Sequence, residues 1–444
     1  MIQKLVMSIT NKSLRLTVLG AGYVGLSTAT MFAEAGFSVV AVDVNHEVVK
    51  LVNKGISPIK EPRLQELVKR NVVANRLKAL LNSQVDLRKA EAVIISVQTP
   101  IYKNKKPNLS FLNKALKSVG CGCHEGMLVI VSSTIPPGTM VNFVKPRLEA
   151  LTNLSAESDF YLAYVPERIA PGRTLQEFVE SPRLVGGIGP NSTRVASELF
   201  KAVCKNVIET DATVAEVAKL AENTFRDVNI AFANQLALIC EHYGIDVKKV
   251  IKLANTHPRV AIHNPGPGVG GPCLPKDPYL LISGVKSSRR DLVRTARRIN
   301  DSMPSHVVEM ALLALKDAGK EVRNVKVTVL GTAYKADVAD SRLSPANPII
   351  RRLLRLGIKV TAYDPYCQES FGAEMARDLH CAVRDSDCII VVTDHAEFKK
   401  VDLKLLRSEF KEKPIIIDAR RVFDPNIAKT FGFKYYGLGY GFTN

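Results

Sequence analysis

The sequence predicts an α/β protein built from two doubly wound parallel sheets joined by a long central helix. Three observations carry this. Short apolar runs alternate with helical patterns near the N-terminus, the stretch Thr213–Tyr243 contains neither proline nor glycine, and Lys326–Gly331 restarts the alternation. Short apolar runs bounded by turn residues are the signature of strands covered on both faces. The 444 residues suit two or three domains, and 46% hydrophobic with 23% charged residues is an ordinary globular balance.

No apolar run is long enough to cross a bilayer. The N-terminal segment MIQKLVMSITNKS is too short and too polar for a signal peptide, and Met7 is a second candidate start. The eight cysteines are mostly scattered, as expected of reduced thiols in a cytoplasmic protein. A net charge of +18 raises the question of nucleic acid. The basic residues are spread in short pairs such as Arg297–Arg298 and Arg351–Arg352, with no basic tail or aromatic-interleaved patch. Anionic small molecules match this better, and neither nucleic acid nor a membrane is expected as a partner.

The first strand, Leu14–Leu19, runs into Gly20-Ala21-Gly22-Tyr23-Val24-Gly25, a GxGxxG pattern. A helix follows to Ala35, stopped by Gly36, and a second strand, Phe37–Val42, ends in Asp43. Strand, glycine loop, helix, strand and acid in this order form a Rossmann-type dinucleotide fingerprint. Gly20 makes the tight turn, Gly22 lets a pyrophosphate approach the helix N-terminus, and Gly25 lets helix and strand pack closely. Asp43 can accept both ribose hydroxyls and would repel a 2′-phosphate, so the expected cofactor is NAD. Strands at Ala92–Val97 and Met127–Ser132 end in Gln98-Thr99-Pro100 and Ser133–Thr139, which makes Thr99 and Thr134 candidates for the nicotinamide half. Tyr161–Val165 ends in Pro166-Glu167-Arg168, with Pro171-Gly172 close behind. That Glu–Arg pair reads either as a surface salt bridge or as a substrate clamp.

Thr213–Tyr243 reads as one helix of about 46 Å, stopped by Gly244 and apolar around most of its circumference. Such a helix belongs between domains or subunits, which makes a homodimer the expectation. Lys219 and Asn223 are four apart on one face and can donate to one developing oxyanion. Beyond it, Asn255–Val260 includes His257, not read as a base, and Arg259, suited to a phosphate or carboxylate. Pro265–Asp277 then reads PGPGVGGPCLPKD. Its glycines let the backbone approach a ligand, its prolines restrict the loop, and Cys273 at its rim is a candidate nucleophile.

The second half begins at Lys326–Gly331, followed by a helix over Ala346–Leu356 and strands at Lys359–Tyr363, Cys388–Val392 and Ile415–Ile417. It echoes the first half without a full GxGxxG, as expected of a domain modified for a mononucleotide. Lys335, Arg342 and Arg420 fall at its strand ends, and three cations there suit a diphosphate. Cys121-Gly122-Cys123-His124 has a metal-like look, but no second cluster completes four ligands, so no metal is expected.

Taken together, the chain resembles the UDP-glucose/GDP-mannose dehydrogenase family, NAD-dependent nucleotide-sugar 6-dehydrogenases, over residues 14–440. The matching segments are Gly20–Gly25, Ser133–Thr139, Pro166–Arg168, Lys219–Asn234, His257–Val260, Gly266–Asp277 and Lys335–Pro345. Glu222–Asn234, Leu253–Val260 and the Pro-Glu-Arg at 166–168 resemble the branch that oxidises UDP-N-acetyl-D-mannosamine. Pro272, Lys276 and Leu343 depart from that branch, and Lys276-Asp277 resembles the UDP-glucose branch. The resemblance implies an NAD-binding domain at 1–205, a central helical dimerisation and catalytic-loop domain at 206–312, and a UDP-sugar domain at 313–444. It implies Cys273 as the covalent nucleophile, Lys219 and Asn223 as oxyanion donors, and Asp277 assisting proton transfer from the alcohol. The same resemblance implies that Glu167 assists thioester hydrolysis and that Thr134 orders the nicotinamide site. Gly20, Gly22, Tyr23, Val24, Gly25, Asp43, Thr99, Thr134 and Arg342 fall at the cofactor. Glu167, Arg168, Lys219, Asn223, His257, Arg259, Gly270, Lys335 and Arg420 fall at the UDP-sugar, with Arg259 reaching it from a neighbouring subunit.

Overall fold

The computed structural model describes residues 1–169, 172–286 and 291–440. Pro171, and residues 441–444 of the expected third domain, lie outside the described residues. The chain forms two compact units, Met1–Glu222 with Tyr279–Val285, and Asn223–Pro278 with Lys286–Asn444.

The first unit holds β1 (Arg15–Leu19), β2 (Ser38–Asp43), β3 (Leu77–Leu81), β4 (Ala92–Ile95), β5 (Leu128–Val131), β6 (Tyr161–Tyr164), β7 (Arg183–Gly187) and β8 (Val207–Asp211). Their order in the sheet is β3-β2-β1-β4-β5-β6-β7-β8, parallel throughout except for the antiparallel pair β6–β7. β4, β5 and β6 are buried at every position, which is why they read as unbroken apolar runs. The order reverses between β1 and β4, and in open parallel sheets ligands bind outside the carboxyl ends at that switch point.

The second unit holds β9 (Lys326–Leu330), β10 (Lys359–Tyr363), β11 (Glu374–Met375), β12 (Cys388–Val391), β13 (Ile415–Asp418) and β14 (Lys434–Gly437). Its all-parallel order, β11-β10-β9-β12-β13-β14, repeats that of the first six strands of the other unit. Each strand expected from the sequence forms to within two residues. The long helix spans Ala212–His242.

The 26-residue helix Leu292–Asp317 was not expected from the sequence. Pro304 lies inside it and its first turns are rich in charge, so neither composition nor periodicity marks it. Its inward face, including Met303, Val307, Ala311 and Leu315, is buried and completes the core under β9, β12 and β13.

Candidate active site

The chain leaves β1 at Gly20, where φ is +94° and an added Cβ would lie 2.3 Å from the Ser96 carbonyl oxygen. Only glycine fits such a turn. Gly22 caps the Tyr23–Glu34 helix, and a Cβ on it would meet nothing within 4 Å, so the space before the first helical N–H groups is open. At Gly25 an added Cβ would fall 1.7 Å from the Gly20 carbonyl oxygen, so helix and loop touch backbone to backbone. Asp43, half-buried at the end of β2, accepts the Ala21 N–H at 2.8 Å and the Asn45 N–H at 2.9 Å. These bonds aim a carboxylate at the loop and leave it lone pairs for a ribose. A pyrophosphate at the helix N-terminus and an adenosine ribose on Asp43 fit these residues. Asp43→Ala is expected to weaken NAD binding by about 10- to 100-fold, the worth of charged hydrogen bonds. Calorimetric titration checks this, and an unchanged affinity would remove Asp43 from the ribose site.

The two threonines singled out by the sequence meet, Thr99 Oγ1 donating to the Thr134 carbonyl oxygen at 2.5 Å. The turn beyond them is held by Glu216 of the long helix, which accepts the Gly138 N–H at 2.5 Å and the Met140 N–H at 2.8 Å. Glu216 is wholly buried, and that burial pushes its carboxyl up to about 7. An acid whose folded value lies above its unfolded one binds the proton more tightly when folded. The protein therefore loses stability as pH rises from about 4.5 to about 7, by up to about 3 kcal/mol from this group. Glu216→Gln should flatten that segment of the stability profile. Urea midpoints at pH 5 and pH 8 measure it, and an equal slope in both proteins would contradict the assignment.

Glu167, only 9% exposed, lies 2.8 Å from the buried Arg183 guanidinium and accepts the Arg168 N–H at 2.8 Å. The Arg168 side chain turns elsewhere, to Glu222 at 2.7 Å and the Pro182 carbonyl at 2.6 Å. Glu167 and Arg168 thus pair through a main-chain N–H, not side chain to side chain. Lys219 is buried on the long helix one turn before Asn223.

In the second unit Asn223 Nδ2 donates to Asp277 Oδ2 at 2.6 Å, and Lys276 Nζ lies 3.0 Å from Asp277 Oδ1. The wholly buried Asp277 carboxylate is thereby bracketed by a donor and a cation. Asp277 opens a short helix whose preceding turn closes on the Cys273 carbonyl, with the Asp277 N–H donating at 2.9 Å. Cys273 itself is exposed. Each glycine of the loop has a reason: a Cβ on Gly266 would strike Arg420, one on Gly268 would meet Pro304, and one on Gly270 or Gly271 would strike Tyr334. The Gly266 N–H donates to Asn234 Oδ1, and the Gly271 N–H to the Arg342 carbonyl. The loop that carries the thiol is therefore clamped at both ends. Arg342 is exposed, pairs with Asp340 at 2.6 Å, and lies within electrostatic reach of Cys273. Lys335 is exposed at the end of β9, and Arg420 anchors its Nε on the Val392 carbonyl at 3.0 Å. His257 and Arg259 are both exposed on the turn after the long helix's partner, Val247–Ala254.

Family models match three consecutive stretches: the NAD binding domain of the UDP-glucose/GDP-mannose dehydrogenase family at residues 14–204, its central domain at 213–302 and its UDP binding domain at 328–425. The chain belongs to the UDP-glucose/GDP-mannose dehydrogenase family. It is 42% identical over 431 residues to a UDP-N-acetyl-D-mannosamine dehydrogenase of Pyrococcus horikoshii, covering 96% of this chain and 100% of that protein. The solved structure of a UDP-D-ManNAc dehydrogenase from Pyrococcus horikoshii superimposes with a TM-score of 0.91 at 42% identity, over 97% of this chain and 100% of that one. That of an NDP-N-acetyl-D-galactosaminuronic acid dehydrogenase from Methanosarcina mazei does so with a TM-score of 0.87 at 36% identity, over 99% and 98%. As a member of this family the protein is an NAD-dependent UDP-sugar dehydrogenase, with the doubly wound architecture expected from its sequence. Among the described residues no helix is long and apolar enough to cross a membrane.

Several groups that shape this dehydrogenase's two units escaped the sequence reading. Glu61 accepts the Tyr23 hydroxyl, the Gly172 N–H at 2.9 Å and the Thr174 N–H at 2.8 Å, so it ties the GxGxxG helix to the segment after Arg168. Asn234, which holds the loop at Gly266, donates to Asn300 at 2.9 Å, and Asn300 in turn donates to Asp227, the partner of the buried Arg297. No local pattern announces these residues, since each partner lies far along the chain. In the Cys121–His124 run, Cys121 is exposed, and the His124 ring nitrogens lie 3.0 Å from the Glu125 and Ala90 carbonyls.

Proposed function

We propose that this enzyme oxidises the C6 alcohol of UDP-N-acetyl-D-mannosamine to the carboxylate of UDP-N-acetyl-D-mannosaminuronate, with Cys273 carrying the intermediate. The observation that supports the chemistry best is the thiol loop: an exposed Cys273 on a glycine loop clamped at both ends, one turn before a buried Asp277 bracketed by Asn223 and Lys276. The choice of sugar follows the full-length relative at 42% identity.

Oxidising an alcohol to an acid removes four electrons, so two NAD are consumed per sugar, each supplying a hydride acceptor for one of the two steps when bound. Asp277 takes the alcohol proton, through water, in the first. The Cys273 thiol then adds to C6 of the aldehyde, its proton passing to the carbonyl oxygen, and a thiohemiacetal keeps the aldehyde from escaping. The second oxidation makes this a thioester. Water, aided by Glu167, opens the thioester, releasing the carboxylate and returning the thiol. Lys219 and Asn223 donate to the oxygen that carries negative charge in these steps. Thr134, with Thr99 and Arg342, orders the cofactor end. Arg168, His257, Gly270, Lys335 and Arg420 bind the UDP-sugar.

On this reading residues 1–205 bind NAD, 206–312 carry the catalytic loop and the dimer contact, and 313–444 bind the UDP-sugar. The large apolar side chains Phe225, Phe232 and Ile239, seven apart on the long helix, remain 65%, 51% and 42% exposed in a single chain, which favours a homodimer through this helix. Arg259 then serves the neighbouring subunit's sugar. The uronate product feeds polysaccharide biosynthesis in the cytoplasm. A second reading, the same chemistry on UDP-N-acetylglucosamine or UDP-glucose, draws on Lys276 beside Asp277. The test counts NADH per sugar consumed with the three UDP-sugars in parallel. Two NADH with UDP-N-acetylmannosamine alone supports the proposal, two with another sugar moves the substrate, and one per sugar overturns the cysteine mechanism.

A further inference from the structure

In the second unit the acid at the end of β10, Asp364, occupies the place that Asp43 holds at the end of β2. Its surroundings are different. Asp43 is half-buried, whereas Asp364 is 2% exposed and saturated with protein donors. Oδ2 accepts the Thr332 N–H at 2.7 Å and the Ala333 N–H at 2.8 Å, and Oδ1 accepts the Tyr366 and Cys367 N–H groups at 2.8 Å. The last donor to Oδ2 is the wholly buried His395, whose Nε2 lies 3.0 Å away. The other ring nitrogen, Nδ1, accepts the Asp337 N–H at 2.9 Å. An acceptor nitrogen carries no proton, so the ring is neutral with its hydrogen on Nε2, and it bridges a carboxylate to a backbone amide. Tyr366 and Phe398 pack around it, with ring centroids 5.1 and 5.4 Å away.

The two bridged points bracket one segment. Asp364 holds residues 332 and 333, His395 holds residue 337, and between them lie Tyr334, the wall against Gly270 and Gly271, and Lys335. In a dinucleotide fold the acid at this strand end accepts ribose hydroxyls, whereas here the imidazole Nε2 faces one of its oxygens. The second sheet thus keeps the strand order of a dinucleotide domain, while both oxygens of its strand-end acid are engaged by the protein's own groups.

We propose that His395 is a positioning residue of the UDP-sugar domain, fixing the 332–337 segment so that Lys335 meets the nucleotide diphosphate. This rests on the reading of Lys335 as a diphosphate contact. The test uses the full-length protein, UDP and NAD as separate probes in calorimetry, and His395→Phe, His395→Gln and Lys335→Ala. Glutamine can accept the Asp337 N–H and donate to Asp364, whereas phenylalanine fills the space and does neither. The expected result is UDP affinity at least 10-fold weaker for His395→Phe, restored to within threefold of the parent for His395→Gln, with NAD affinity unchanged in both. A phenylalanine variant that binds UDP like the parent, or that loses NAD and UDP alike, overturns the proposal. If His395→Phe does not fold, a folded His395→Gln protein decides: normal NAD affinity with UDP affinity more than 10-fold weaker also overturns it. Lys335→Ala with parental UDP affinity would overturn the diphosphate reading by itself, while the His395 variants still report on the segment.

Discussion

Cys273→Ala is expected to abolish formation of the uronate, with net acid production falling by at least about 10³-fold, some 4 kcal/mol of barrier. Without the thiol no thiohemiacetal forms, and the second oxidation loses its bound substrate. The loop should stay in place, because the clamps act on other residues. Asn234 holds Gly266, the Arg342 carbonyl holds Gly271, and the bonds to the Cys273 carbonyl use main chain that alanine retains. A folded but inactive protein is therefore the expected phenotype, with NAD binding intact. Cys273→Ser separates the steps further. A serine ester is a poorer leaving system for hydrolysis than a thioester, so the variant should pass slowly through the oxidations and stall at the ester. Intact-mass spectrometry would then find the acyl-sugar nucleotide attached to the chain. Full turnover to acid by Cys273→Ala would falsify the covalent route.

The second large effect is expected at Gly25. A methyl group there would sit 1.7 Å from the Gly20 carbonyl oxygen, 2.9 Å from its carbonyl carbon and 3.3 Å from Ser96 Cβ. Two of these three are backbone atoms of the very loop that approaches the pyrophosphate, so no side chain can swing away. Gly25→Ala must push the Tyr23–Glu34 helix off β1 or distort the loop. Overpacking of this kind costs about 1–3 kcal/mol and sometimes more. NAD affinity should fall more than about 10-fold and the melting temperature should drop with it. Gly22→Ala is the informative contrast. Its added Cβ meets no protein atom within 4 Å, so folding should be spared while the space needed by the cofactor is taken. A Gly22→Ala protein with parental NAD affinity would mean that the pyrophosphate lies elsewhere.

Local chemistry made much of this protein legible without a structure. The β1 run, the glycine loop and Asp43 declare a dinucleotide site because turn geometry, helix entry and strand exit are written in adjacent residues. The same holds for the PGPGVGGPC loop and for the long helix, whose ends moved by one residue. Helical spacing alone sets Lys219 and Asn223 four residues apart along the long helix. The helix Leu292–Asp317 was hidden because Pro304 and a charged first turn contradict the local pattern, and tertiary burial overrides both.

The sequence by itself determined the two sheets, the cofactor class and the family. Only the tertiary structure decided which polar groups hold those parts in register: Glu61 on Tyr23, Glu216 on the Gly138 turn, Asn234 on Gly266, and His395 between Asp364 and Asp337. The physical reason is one of range. A turn or a strand depends on a residue's immediate neighbours, whereas a buried carboxylate or imidazole must find its partner wherever the folded chain brings a donor or acceptor within about 3 Å.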